Sequence, residues 1–254
     1  MDTFPFAHDG ITHTVYRDGS GPAVIVMHEM PGLHPGVYAF GERLVKAGYT
    51  VYLPSLFGTP GAPVTGGQFA RCALRMCVSR EFSLFADRTM PTVPWLRALA
   101  ARAHADCGGP GVGAVGMCFT GGFALAMAVE PAVLAPVLSQ PASPAPLSAG
   151  RKAALAVDGA DLDRVKRRTA DGQCLLGLRF SKDRGSPPER FERLRSEFGD
   201  AFEEIEVDSS PGNPYGIPPG AHSVLTVDLV DEPGHPTRAA LDRVLEFLAE
   251  RLRG

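Results

Sequence analysis

No run of apolar residues in the sequence reaches the ~18 positions that a membrane-spanning helix needs, so no transmembrane segment is expected. The opening Met1-Asp2-Thr3-Phe4-Pro5 has neither a basic stretch nor an apolar one after it, which predicts no secretory signal. A dominant charge is missing as well. The 25 Lys and Arg against 28 Asp and Glu leave a net charge of −3, so there is no basic field to attract nucleic acid or an anionic membrane. Cysteine is scarce and odd in number, 5 in 254 residues, without the spacing of a disulfide framework. That favours a reducing cytoplasm and leaves at least one thiol unpaired. Internal repeats are absent, and so are His or Cys spacings of the metal-ligand kind. No metal or cofactor is therefore expected.

What is present is a globular composition, 44% hydrophobic and 21% charged, with 29 glycines and 23 prolines that predict many ordered loops. The richest Gly/Pro stretches, 58–67, 140–150 and 209–220, have periodic apolar segments on both sides, so residues 1–254 read as one domain. Short apolar runs that predict strands lie at 11–16 (an edge strand), 23–27, 50–53, 111–115, 133–138, 153–157, 175–180 and 202–207. Helical patterns lie at 38–47, 93–105, 119–129, 187–198 and 237–252. This alternation predicts an α/β fold with a mainly parallel sheet covered on both faces, and ligands at the carboxyl ends of its strands.

The most informative stretch is Gly111-Val-Gly-Ala-Val-Gly-Met-Cys118-Phe-Thr-Gly-Gly122, a strand running through a tight turn into a helix of small residues. Such a turn strains its apex residue and lifts that side chain above the sheet. Cys118 is the apex. A helix N-terminus beside it favours thiolate, and its free N–H groups suit a developing oxyanion. A nucleophile needs a base, and the base needs an orienting acid. After Cys118 only His222 and His235 remain, and His235 sits where a helix cap explains it. For the acid, Asp183 after the strand 175–180 is preferred over Asp158, which is placed to cap a helix. A second element, His28-Glu29-Met30-Pro31-Gly32-Leu33-His34, follows the strand 23–27. Glu29 there needs a partner, because a carboxylate at a central strand end is otherwise disfavoured. The Met30 amide is placed to be a second oxyanion donor beside that of Phe119.

Together these motifs resemble the dienelactone hydrolase family, within the α/β-hydrolase fold. The likeness runs from Asp9-Gly10 through the final helix. Its most specific parts are Val24-Ile-Val-Met-His-Glu29-Met-Pro-Gly-Leu, Gly48-Tyr-Thr-Val-Tyr-Leu-Pro54, Gly116-Met-Cys118, Asp183 with Pro187, and Ala221-His222-Ser223. The resemblance implies a mainly parallel central sheet with helices on both faces, with Cys118 as nucleophile, His222 as base and Asp183 as its acid. It implies that Glu29 helps to deprotonate the thiol once substrate binds. It also implies arginines for a substrate carboxylate, for which Arg80 is the first choice beside Arg71 and Arg75. The chain departs from the family pattern G-x-C-x-G-G at Thr120, either a replaced glycine or an insertion, and both are expected to alter the turn. The proline-rich loop 209–220 is expected to reshape the pocket beside His222.

The leading expectation is a cysteine-dependent hydrolase of a small-molecule ester, lactone or activated acyl compound, acting as a monomer or homodimer. Two others stand beside it: an acyl-transfer or cyclisation enzyme on the same scaffold, and a non-catalytic ligand-binding or thiol-sensing protein.

Overall fold

The computed structural model describes residues 1–78, 82, 88–142 and 148–253, the side chains of 75–78 excepted. Eight strands form one sheet: β1 (Asp2–His8), β2 (Ile11–Gly19), β3 (Ala23–Met27), β4 (Thr50–Pro54), β5 (Val112–Met117), β6 (Val133–Ser139), β7 (Leu175–Phe180) and β8 (Phe202–Val207). Their spatial order is β1-β2-β4-β3-β5-β6-β7-β8. The pairs β1–β2 and β2–β4 are antiparallel and the others parallel. Strands β3, β4, β5 and β7 are buried along their whole length, as continuous apolar runs covered on both faces must be.

Helices α1 (Pro35–Lys46) and α8 (Pro236–Leu252) cover one face, where Phe40, Leu44, Leu241, Val244 and Leu248 pack with Val24, Val26, Val51 and Val115. The other face is covered by α3 (Thr92–Cys107), α4 (Gly121–Met127), α6 (Gly159–Ala170) and α7 (Pro188–Phe198). There Leu96, Leu99, Phe123, Val165 and Phe191 pack with Ile25, Met27 and Ala114. Alternate residues of β3 thus feed two cores, and each large apolar side chain buried contributes roughly 1.5–3 kcal/mol. The remaining helices are α2 (Gly66–Val78) and the short α5 (Ala149–Lys152).

Two sequence expectations are corrected. The run 11–16 is not the edge: β2 is second in the sheet, and the edge is β1, whose Pro5 is tolerated there because an outer strand has one unpaired side. The run 153–157 is no strand. Strand β6 pairs directly with β7, which leaves no slot between them, and Ala156 is at φ +58°. The segment still buries Ala154, Leu155 and Val157, and the Ala154 carbonyl accepts from Arg190 Nε at 2.7 Å. Among the described residues, no helix is long and apolar enough to cross a membrane.

Candidate active site

Strand β5 ends at Met117, and a single 3-10 turn, Cys118–Thr120, leads straight into α4. Cys118 has φ +55°, a left-handed conformation that costs a non-glycine residue about 1–2 kcal/mol and turns its side chain out above the strand ends. Glycines make the turn possible by close approach. A Cβ on Gly116 would lie 2.2 Å from the Thr120 carbonyl oxygen, and one on Gly121 would lie 2.6 Å from Pro141 Cα. Ala142 N–H donates to the Cys118 carbonyl at 2.9 Å, tying the turn to the segment after β6. Thr120 keeps an ordinary helical backbone at φ −83°, and the tight contacts fall on its neighbours Gly116 and Gly121.

His222 reaches the same point from the other side. Its Nδ1 donates to Asp183 Oδ2 at 2.6 Å, and Gly185 N–H donates to Asp183 Oδ1 at 2.8 Å, so both carboxylate oxygens are directed. The Cys118 sulfur lies close enough to the ring to act on its protonation. Burial alone would lower the imidazole pKa, but the Cys118 sulfur and the Asp183 carboxylate override it and push it up to about 11. The structure therefore brings Cys118, His222 and Asp183 into one chain of contacts. The rival acid Asp158 instead caps α6, accepting from Asp161 N–H at 2.8 Å. His235 caps α8 through Thr237 N–H at 3.3 Å.

Glu29 lies two residues past β3, 2% exposed, and is surrounded by donors. Oε1 accepts from His34 Nε2 at 3.1 Å and from the Thr226 hydroxyl. Oε2 accepts from Ser223 Oγ at 2.7 Å and from Gln140 Nε2 at 3.2 Å. Burial would raise its pKa, yet these hydrogen bonds, led by that of His34, hold it below the usual carboxylate range. Among the described residues, no hydrogen bond joins Glu29 to Cys118. His34 also caps α1, its Nδ1 accepting from Gly36 N–H at 3.1 Å, which leaves the proton on Nε2 facing Glu29. His28 is fully buried: Nε2 accepts from Leu56 N–H at 3.1 Å and Nδ1 donates to the Glu29 carbonyl at 3.1 Å. Burial lowers its pKa to about 4, so it is neutral.

Two partners of the His222 loop, and one of the Asp183 loop, escape the sequence reading. Asp228 accepts from the His222 and Ser223 amides at 2.9 and 2.8 Å. Gln140, at φ +35°, bonds Glu29 and also accepts from Val224 N–H at 3.4 Å. Arg190, on α7, donates to the Gly185 carbonyl at 3.3 Å and to that of Pro141. The available signal was position, since Gln140 directly follows a parallel strand. Of the arginines expected to meet substrate, Arg71 is exposed on α2, while the Arg75 side chain and all of Arg80 lie outside the described residues. Among the described residues, no group of His, Cys, Asp and Glu could hold a metal ion.

A family profile described as the dienelactone hydrolase family matches residues 11–163. The match includes Glu29, Met30, Cys118 and Phe119 and stops short of Asp183 and His222. No curated protein matches the chain. Among solved structures, the dienelactone hydrolase of Anabaena variabilis is 17% identical over 99% of this chain and 98% of its own, with a TM-score of 0.61. The α/β-hydrolase GrgF from a Penicillium species is 12% identical over 100% and 99%, with a TM-score of 0.66. Est1E from Butyrivibrio proteoclasticus is 12% identical over 98% of both chains, with a TM-score of 0.58. At such identities the likeness is one of fold, and the fold is that of the α/β-hydrolases.

Proposed function

The chain is a carboxylic ester hydrolase belonging to the dienelactone hydrolase family, and on that premise we propose that it cleaves an ester, lactone or activated acyl compound through Cys118, His222 and Asp183. The observation that carries this reading is the contact chain itself. A thiol at φ +55° on a helix N-terminus lies close enough to an imidazole to shift its protonation, and that ring's Nδ1 is held at 2.6 Å by a buried carboxylate.

In this reading the Cys118 thiolate attacks the substrate carbonyl carbon. The C–S bond forms while the carbonyl electron pair moves to oxygen, which the Phe119 and Met30 amides stabilise. As the oxyanion collapses, the bond to the leaving oxygen breaks, and the His222 imidazolium gives that oxygen its proton. The neutral imidazole then takes a proton from water, the hydroxide attacks the acyl carbon, and thiolate and imidazolium are restored as the carboxylic acid leaves. Asp183 keeps the ring oriented and offsets the imidazolium charge. Glu29 is an anchor for the His222 loop here, because its donors from that loop are the hydroxyls of Ser223 and Thr226. A thiol of this reactivity fits a reducing cytoplasm, where it stays unoxidised.

The test is turnover of a panel of aryl esters, lactones and acyl thioesters by Cys118→Ala and His222→Ala. Each is expected to lose about 10⁴-fold or more in kcat with at least one substrate class, and an acyl adduct on Cys118 is expected by intact mass in the wild type. Unchanged turnover in both variants removes the proposal.

A further inference from the structure

We infer that Thr120 is a positioning residue that sets the spacing between the two oxyanion donors, the Phe119 and Met30 amides, and this inference rests on the reading of Cys118 as nucleophile. These amides belong to separate segments: Phe119 to the turn after β5, Met30 to the loop after β3. Both must approach a single oxygen at about 2.7–3.1 Å, so the distance between the segments matters to the rate. The parallel ladder of β3 and β5 ends at the pair Met27–Gly116. Beyond that pair one chain turns into the Cys118 turn and the other runs on through His28 and Glu29 to Met30.

Thr120 joins the two where the ladder stops. Its side chain is fully buried. Oγ1 accepts from Met117 N–H at 2.9 Å, and its single proton faces the Met27 carbonyl at 2.9 Å, with the carbonyls of Met117 and His28 at 3.0 and 3.3 Å. Met117 immediately precedes Cys118, and His28 lies two residues before Met30. One hydroxyl therefore bonds the start of the nucleophile turn to the start of the second donor's loop. A glycine at this position, as in the pattern G-x-C-x-G-G, would provide no such link and would leave the Met117 N–H without this acceptor. The methyl-bearing side chain fits because the close packing here falls on Gly116 and Gly121.

The experiment separates oxyanion stabilisation from thiol reactivity in Thr120→Val, Thr120→Ala and Thr120→Ser. Butanal adds reversibly to a thiolate: the S–C bond forms, the carbonyl pair goes to oxygen, and that oxygen occupies the donor site. Iodoacetamide alkylates the same sulfur with loss of iodide and forms no oxyanion. The Val and Ala variants are expected to lose about tenfold or more in butanal affinity and in kcat, with KM near that of the wild type. Their rate of Cys118 alkylation and its pH profile, followed by peptide mass, are expected to match the wild type, and Ser is expected to restore butanal affinity. Unchanged butanal affinity in Val and Ala, or a parallel loss of alkylation, overturns the assignment. So does failure of both variants to fold while Ser folds, which makes Thr120 a folding residue only. If Cys118→Ala binds butanal and turns over ester as the wild type does, the nucleophile reading itself falls. That outcome is distinct from silent Thr120 variants in an enzyme whose Cys118 is alkylated with loss of activity.

Discussion

Two histidine–carboxylate pairs lie beyond the carboxyl ends of the strands, and their surroundings differ. In one, Asp183 is 5% exposed but its partner His222 keeps 29%, and the Cys118 sulfur helps to raise the pKa of the ring. In the other, His34 and Glu29 are both 2% exposed, and Glu29 also meets Thr226, Ser223 and Gln140. In the open pair the imidazole pKa is raised by the Cys118 sulfur and Asp183, and the ring stays partly exposed. In the closed pair the histidine caps α1 and the carboxylate is surrounded by donors. A histidine beside a carboxylate is thus a common local arrangement. Chemistry depends on whether one ring nitrogen still faces a space that substrate can enter.

This contrast is sharpest under substitution. Asp183→Asn keeps the shape of the open pair but removes the charge that orients the ring. It is expected to lower kcat by roughly 10³–10⁴-fold, with the urea midpoint close to that of the wild type. A stable variant with near-normal kcat would place the acid elsewhere. Glu29→Gln acts on the closed pair, where it leaves buried donors poorly matched. It is expected to lose about 2–4 kcal/mol of stability in urea melts, with a fall in kcat of about tenfold to a hundredfold in the folded protein. A fall in kcat as large as that of Asp183→Asn, at unchanged stability, would instead make Glu29 act on the thiol directly, as the family resemblance implied.

The expectation with no direct effect on kcat concerns His28, which sits behind the closed pair with a pKa of about 4 against 6.5 when unfolded. Between those values the unfolded chain binds a proton that the folded chain does not, so stability falls as pH drops from 6.5 to 4, by on the order of 3 kcal/mol. His28→Gln is expected to be less stable at pH 7 yet to show a flatter acid limb in urea melts at pH 7 and pH 4.5. An unchanged slope would remove His28 as its source.

Much of this is legible in the sequence. The runs 175–180 and 202–207 are strands β7 and β8 with the expected bounds, β7 buried along its whole length and β8 half-buried at the sheet edge with Glu203, Glu204 and Glu206 in it. The turn at Cys118 was legible because only glycine fits where Gly116 meets the Thr120 carbonyl. The run 153–157 misled because burial gives the same apolar signature whether or not a neighbouring strand is available to pair. The first strand went unread because Asp2–His8 alternates around Pro5 and takes its order from β2.

The sequence by itself determined the alternation of strands and helices and the strained cysteine, which follow from periodicity and short-range sterics, and it narrowed the candidate acid and base by residue type and position after the strands. The tertiary structure alone decided which partners meet. Asp183 finds His222 across 39 positions, Gln140 finds Glu29 across 111 and Ser223 finds Glu29 across 194, while Asp158 is engaged locally in a cap. Hydrogen bonds reach only about 3 Å, and nothing in local chain preference encodes which distant segments the sheet order will bring that close. For the same reason Thr120 read as a defect in the sequence, and the fold places its hydroxyl between two strand ends.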